Sequence, residues 1–334
     1  MCDTMTDQNK AAKQQLVSIL KEKRAILMVG AGSSKLAGFP LLNELIDELS
    51  QLTPSLSGSK DADHTAYADQ IKDQLDREGR IREYHKFLER IFQPKKNRNN
   101  HTAFHCALVK LGFCGIITTN YDKVLETAVG ETFSEDGYCW CEPIDLCLPK
   151  PYRVFDFLRS LSQNTDHRWV LHLHGCFDNS ERIILTRKDY LRAYGELGAN
   201  GMDGNSNRIL DTIHRKVIWA LLAMHSLVFV GFSMKDEFFM KMLEVVQKDF
   251  ELDSEPVHFA IINYTLEEDR ERTSLILRRK GVLPIFYHVP ELRSPNDRPD
   301  HRGLERLVFE LADLEGIPIE SPSILNLTQK MLER

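Results

Sequence analysis

Cysteine is sparse and unpatterned in this chain. Its seven cysteines (Cys2, Cys106, Cys114, Cys139, Cys141, Cys147 and Cys176) form an odd set without paired spacing, which excludes a disulfide framework. The N-terminus lacks a charged segment leading into an apolar one, so a secretory leader is not expected. Long apolar runs are missing too. The nearest, Val217 to Phe232, is interrupted by His225 and Ser226 and bounded by Arg215, Lys216, Lys235 and Asp236. It falls short of the roughly 20 apolar residues of a spanning helix and reads as a buried helix followed by a buried strand. These absences together predict a reducing, cytoplasmic setting and no membrane. Positive charge is also in deficit: the net charge of −6 is spread along the chain and offers nucleic acid no electrostatic handle. The one basic cluster, Lys95, Lys96 and Arg98, reads as a solvated loop. There is no internal repeat and no low-complexity tract.

What is present is enough apolar material, 42% of 334 residues, for one large core or one core plus a smaller lobe. Residues 10 to 24 favour helix and lead into Ala25-Ile-Leu-Met-Val29, a continuous apolar run suited to a strand covered on both faces. Gly30-Ala-Gly32-Ser33 turns the chain. Leu41, Leu42, Leu45, Ile46, Leu49 and Leu52 then recur at helical spacing. From about residue 53 to 105 the sequence is polar and helical, which predicts an inserted helical module. Further apolar runs of strand length follow at Gly115 to Thr119, Trp169 to Leu173, Leu227 to Val230 and Val257 to Ile262, with a last one at Leu283 to Phe286. The expected fold is therefore α/β: a doubly wound, Rossmann-like, mostly parallel sheet with an inserted helical module, over residues 1 to 290. A linker, an amphipathic helix (Leu304, Leu307, Val308, Leu311 and Leu314) and a tail make up residues 291 to 334.

The strand ends carry the chemistry. In an open parallel sheet, ligands bind outside the carboxyl ends of the strands. Five predicted strands end in small or polar groups: Gly30 to Ser33, Asn120 to Asp122, His174-Gly175, Gly231 to Ser233, and Asn263. Gly30-Ala31-Gly32 between strand and helix suits a phosphate, because glycine lets the backbone approach a ligand and the helix start carries partial positive charge. The dinucleotide fingerprint fails at its third glycine, where Lys35 stands, so an ordinary strand-to-helix turn is the competing reading. For His174, at a strand end beside a glycine, a base of near-neutral pKa is the favoured role. His172 is a supporting candidate on the same strand face. Asn120 competes with a plain helix cap, and Asp122 with a plain complement to a helix dipole. Cys139-Trp-Cys141 and Cys147 have no second pair to complete a zinc site, so no metal is expected. Phe238, Phe239, Met240 and Met242 read as packing on a helix.

Taken in order, Gly30-Ala-Gly32-Ser-Ser34, Thr118-Thr-Asn120-Tyr-Asp122, Leu173-His174-Gly175, Gly231-Phe-Ser233 and Ile262-Asn263 resemble the sirtuin motifs over roughly residues 20 to 290. Thr186-Arg-Lys-Asp-Tyr190 and Gly231-Phe-Ser-Met-Lys-Asp236 are similar to segments of the bacterial anti-phage branch. The resemblance implies that NAD is the substrate. Gly30, Ala31, Gly32 and Ser33 would hold its phosphates. Asn120 would sit against the nicotinamide ribose and orient water, and Asp122 would meet the carboxamide. His174 would be the general base, while Gly231, Ser233 and Asn263 would line the phosphate and adenosine ribose. The four-cysteine zinc module of the deacetylases is absent after Gly175, where Cys176 stands alone.

The implied activity is NAD glycohydrolysis to nicotinamide and ADP-ribose, in a defence effector that depletes NAD. The alternatives are a protein deacylase or ADP-ribosyltransferase, and a module that senses NAD without turnover. An always-active NAD hydrolase would poison its own cell. The expectation is therefore control by assembly, in a homo-oligomer and with a separate partner such as a HerA-type ring ATPase.

Overall fold

In a computed structural model the described residues are 2–56, 63–94, 100–133, 141, 143–148, 151–163, 169–195, 212–250, 256–291 and 299–318. The basic cluster at residues 95 to 98, Cys139 and the tail after residue 318 lie outside them. The chain opens with α1 (Cys2–Lys21), β1 (Ala25–Val29) and a single helical turn, α2 (Ala31–Ser34). Next come α3 (Leu42–Ser50), α4 (His64–Arg77), α5 (Ile81–Phe92) and α6 (Ala103–Lys110), then β2 (Gly115–Thr118) and α7 (Val124–Phe133). The middle holds β3 (Ile144–Asp145), α8 (Pro151–Ser160), β4 (Val170–His172), α9 (Arg187–Tyr194), α10 (Ile213–Met224) and β5 (Ser226–Val230). The last elements are α11 (Glu237–Asp249), β6 (His258–Tyr264), α12 (Glu267–Arg278), β7 (Val282–His288) and α13 (Arg302–Glu315).

The strands form one sheet in the order β3-β4-β2-β1-β5-β6-β7, and every pairing is parallel. The doubly wound α/β fold expected from the sequence is thus the fold observed. All five residues of β1 are fully buried, as a central strand covered on both faces requires. On one face Leu27, Val29, Ile116, Val170 and Val228 pack against α1, α6, α7 and α13. On the other, Ile26, Met28, Ile117, Leu171 and Phe229 pack against α8, α10 and α11. A third core joins α3, α4 and α5 through Leu45, Leu49, Ile71, Leu75, Tyr84 and Leu88. Asp63 starts α4, its Oδ1 accepting from the Thr65 and Ala66 amides at 2.9 and 3.2 Å, a side-chain cap on donors with no intrahelical partner.

Three features depart from the expectation. The short edge strand β3 has too little sequence to announce itself. The turn after β1 winds into α2 before α3 begins. The apolar stripe of α13 (Leu304, Leu307, Val308 and Leu311) is buried in the sheet's own core beside α1 and α6, so α13 belongs to the same folded unit as residues 1 to 290. At the β7 edge, the Asn9 side chain of α1 pairs with the strand backbone. Its Oδ1 accepts from the Phe286 amide at 2.8 Å and its Nδ2 donates to the Phe286 carbonyl at 3.1 Å.

The stripe yields a contrast that can be measured. Leu311→Ala is expected to destabilise the chain by about 2–5 kcal/mol through the cavity left behind. Leu314→Ala, at a side chain 44% exposed, is expected to change stability by no more than about 0.5 kcal/mol. Urea midpoints of the two variants check this, and equal effects would contradict the packing.

Candidate functional site

The chain leaves β1 towards β2 and later returns to the other side of β1 with β5, so the direction reversal falls between β1 and β5. That is where ligands bind in such sheets. Here two turns are joined backbone to backbone. The Gly30 amide donates to the Val230 carbonyl at 3.0 Å, and the Gly32 amide to the Gly231 carbonyl at 2.8 Å. The approach explains all three glycines. A Cβ on Gly30 would lie 2.6 Å from the Gly231 carbonyl oxygen, one on Gly32 2.8 Å from it, and one on Gly231 2.3 Å from the Ser33 nitrogen. Gly231 also has φ of +64°, in the left-handed region that other residues disfavour. Gly30 and Ser33 are buried, with the Ser33 hydroxyl donating to the Gly30 carbonyl at 2.9 Å. Ala31 and Gly32 are half-buried. His105 of α6 donates from Nε2 to the Ser33 carbonyl at 3.2 Å and fixes α2 from below.

Ser34, in the motif but without an assigned role in the sequence reading, is the hinge of the next cluster. Its hydroxyl accepts from Asn120 Nδ2 at 2.9 Å, and it also hydrogen-bonds the Asp122 carboxylate. Asn120 is held at two further points. Its amide donates to Thr118 Oγ1 at 3.0 Å, and its carbonyl accepts from His172 Nδ1 at 2.8 Å. It does not cap α7. That role falls to Asp122, whose Oδ1 accepts from the Val124 amide at 3.0 Å. Burial pushes the Asp122 carboxyl up to about 6.

His172 is fully buried, and its Nε2 donates to Glu126 Oε1 at 2.6 Å. Both ring nitrogens therefore face acceptors, as only an imidazolium can satisfy. Burial works against that charge, but the adjacent Glu126 carboxylate outweighs it and the ring is pushed up to about 9. His172 is thus a charged brace for Asn120, and Glu126, half a chain motif away on α7, carries its counter-charge.

Thr118 and His172 are direct partners in the β2/β4 ladder, so Asn120 and His174 each stand two residues past a matched pair on neighbouring strands. The shared face expected for His172 and His174 does not hold. β4 ends at His172, Gly175 turns the chain with φ of +87°, and the two rings reach different layers. His174 lies beneath α9 and α10, with Nε2 at 2.8 Å from the Tyr194 hydroxyl and Nδ1 at 3.4 Å from that of Tyr190. Tyr190 stacks on Phe238 at 5.1 Å and His214 packs on Tyr194. Only 2% of His174 is exposed, and burial pulls its pKa down to about 3. Tyr121 secures the segment behind it: the hydroxyl donates to the Ile184 carbonyl at 2.8 Å, and the Ile184 amide donates to the His174 carbonyl at 3.0 Å.

The Thr186 to Tyr190 segment begins α9, with Thr186 as its cap. Asp189 there meets Lys72 of α4 at 3.3 Å and Lys188 meets Asp73 at 2.5 Å, so α9 ties the helical module to the aromatic shell of His174. The remaining predicted residues sit apart. Ser233 is exposed beyond β5, its Oγ accepting from the Lys235 amide at 3.3 Å. Asn263 is exposed within β6, paired with Tyr287. An open cleft of about 570 Å³ starts at Lys35 and is lined by Phe39, Glu44 and Arg90 among others, but not by Asn120, Asp122 or His174.

Among the described residues, His101, Cys106 and Glu131 bring ligand atoms within 4.8 Å of one another. They are one short of a structural zinc set, and His101 Nε2 already pairs with Glu131 at 2.8 Å. Cys106, Cys114, Cys141, Cys147 and Cys176 are not in disulfides. None of the described helices is long and apolar enough to cross a membrane.

The sequence profile of the SIR2-like domain matches residues 115–285. The chain is also similar to Defense-associated sirtuin 2 of Bacillus subtilis, at 22% identity over 244 residues, which is 70% of this chain and 20% of that protein. It thus spans about one fifth of the length of the curated relative it matches.

Gly231→Ala combines a left-handed backbone, about 1–2 kcal/mol, with overpacking of about 1–3 kcal/mol. A loss of about 2–5 kcal/mol is expected in denaturant unfolding, and a midpoint shift near zero would contradict the glycine contact. The His172 brace predicts a pH dependence. Because its folded pKa is raised from 6.5 to about 9, the stabilisation is complete below about pH 6.5 and is lost as pH rises through about 9, on the order of 3 kcal/mol in all. Urea midpoints at pH 6, 7.5 and 9.5 should fall in that order, and Glu126→Gln should remove the alkaline decline while lowering stability at pH 6.

Proposed function

The chain belongs to the SIR2-like family, a family of NAD-dependent enzymes, and from that premise we propose that it hydrolyses NAD at the nicotinamide–ribose bond. The observation that carries the proposal is the pairing at adjacent strand ends of a rigidly held Asn120, fixed by Ser34, Thr118 and His172, with the buried His174. The C1′–N bond breaks with its electron pair going to the nicotinamide nitrogen. Water oxygen bonds to C1′, and the proton that water gives up is taken by His174. The oxocarbenium-like transition state needs positioning above all, which the three bonds to Asn120 supply. Asp122, its carboxyl raised towards neutrality by burial, is suited to hydrogen-bond a carboxamide.

Exposure sorts the remaining roles. Ala31, Gly32, Gly231, Ser233 and Asn263 have surface to offer the dinucleotide, whereas Gly30 and Ser33 are buried and act by shaping the turn. Access to His174 requires Tyr194 and its neighbours to part, a gating step of a kind that sets many turnover rates. Likeness to a defence-associated sirtuin supports a role as an anti-phage effector that depletes NAD. Control then comes from assembly, with other copies of the chain and with a partner such as a HerA-type ring ATPase.

His174→Ala and Asn120→Ala are each expected to lower nicotinamide release by about 10²–10⁴ while still unfolding cooperatively, at a midpoint lowered by the loss of a buried side chain. Chromatography of NAD, nicotinamide and ADP-ribose checks this. Turnover by His174→Ala close to that of an active wild type would remove His174 as the base. NAD binding by calorimetry without any nicotinamide release, alone or with the partner, would favour the sensing alternative.

A further inference from the structure

A fully buried imidazole is a weak base, and His174 at about 3 is far from the near-neutral pKa that base catalysis favours. The groups around it show how that is offset. The Tyr190 hydroxyl lies 3.4 Å from His174 Nδ1 and 3.4 Å from Asp236 Oδ2. Asp236 begins α11, its Oδ1 accepting from the Phe239 amide at 3.0 Å. Burial raises the Asp236 carboxyl, and the Phe239 and Phe238 amides and the Tyr190 hydroxyl favour its ionised form; an ionised carboxylate can only accept, and a tyrosine has one proton. The Tyr190 proton therefore points at Asp236, the Tyr190 lone pairs face Nδ1, and Nδ1 must carry the hydrogen. Nε2 is left with its lone pair, which accepts from the Tyr194 hydroxyl at 2.8 Å. The order is Asp236, Tyr190, His174 Nδ1–H, with Nε2 as the basic nitrogen beneath Tyr194.

We propose that Tyr190 and Asp236 are positioning residues that hold His174 in its Nδ1–H tautomer and stabilise the imidazolium formed when Nε2 takes a proton. The inference rests on the reading of His174 as the base. No proton passes to Asp236. Nε2 gains the proton released by water, Nδ1–H stays bonded to Tyr190, and the Asp236 charge lies one hydroxyl away from the new cation. Both residues stand in segments similar to the defence branch, one opening α9 and the other opening α11. The Tyr190 hydroxyl lies between His174 and Asp236 and so joins the two segments, 46 residues apart, at the imidazole.

Two conservative variants separate this role from a structural one. Tyr190→Phe keeps the ring that stacks on Phe238 and removes only the hydroxyl. Asp236→Asn keeps a cap for α11, since Asn caps as well as Asp, but presents an amide donor to Tyr190. That reverses the direction of the chain and favours the opposite tautomer, the known consequence of turning such an acid into an amide. In the full-length protein, kcat for nicotinamide release is expected to fall about 10-fold to 100-fold in Tyr190→Phe and about 10²-fold or more in Asp236→Asn, with KM within about threefold. The double variant should be no worse than Asp236→Asn alone.

The independent readout is ¹⁵N NMR of histidine-labelled protein, with His174 assigned by comparison with His174→Gln. The wild type should show the Nδ1–H tautomer and Asp236→Asn the Nε2–H tautomer. With an active wild type the proposal requires both results. Loss of kcat with an unchanged tautomer, or a switched tautomer with unchanged kcat, overturns it. If the wild type released no nicotinamide, the reading of function would fail separately, and the tautomer comparison alone would decide whether the Asp236, Tyr190 and His174 chain exists.

Discussion

Two stretches of backbone meet in contact at the point where the sheet reverses its winding, and the site is arranged around that meeting. Gly30 and Gly32 lie against Gly231 at separations where no side chain fits. The contact clamps α2 in place, and α2 ends at Ser34, which holds both Asn120 and Asp122. On the other side the turn runs on to Asp236 at the head of α11. One backbone contact thereby sets the positions of Asn120 and Asp122, between β2 and α7, and of Asp236, just before α11, which are far apart in the chain. Because it relies on the absence of side chains rather than on any attraction between them, it tolerates little substitution.

The fold was legible from the sequence because its signals are local. Continuous apolar runs marked β1, β2, β4, β5, β6 and β7, the first five of them ending in small or polar residues, and helical spacing marked α3 and α13. The site was legible in part. Strand ends pointed to Asn120, Asp122 and His174, and the structure puts Asn120 and Asp122 on one serine. What could not be read was which partner each residue would find. Ser34 to Asn120 spans 86 residues and His172 to Glu126 spans 46, and no periodicity encodes such pairings. The glycines suit a phosphate by their sequence setting, and the structure adds a contact that setting does not announce, of Gly30 and Gly32 with Gly231. Strand alternation puts His172 and His174 on one face, and that rule lapses where β4 stops at His172. The helix-capping role weighed for Asn120 belongs to Asp122.

The two histidines of Leu171-His-Leu-His174 show how neighbourhood, not sequence position, sets chemistry. Both are buried to the same degree. His172 meets a carboxylate and a carbonyl and is held as a cation; His174 meets hydroxyls and aromatic edges and is held neutral. Exchanging their roles would need the carboxylate of Glu126 on the other side of the sheet. Such a division suits a site where one group must be fixed in charge while the other changes it.

The pairing of Asn9 with Phe286 has a bearing on how copies of this chain can associate. An outer strand with free amides and carbonyls is a template on which a second molecule can extend the sheet. Here the carboxamide from α1 occupies the donor and the acceptor of one residue on the outermost strand, and α1 itself is anchored in the core by Leu16 and Leu20. An incoming strand would have to displace that side chain and loosen the first helix before it could register. Extension of the sheet by a strand from another molecule is thereby opposed at this point of β7, by a side chain that already fills the hydrogen bonds such a strand would need.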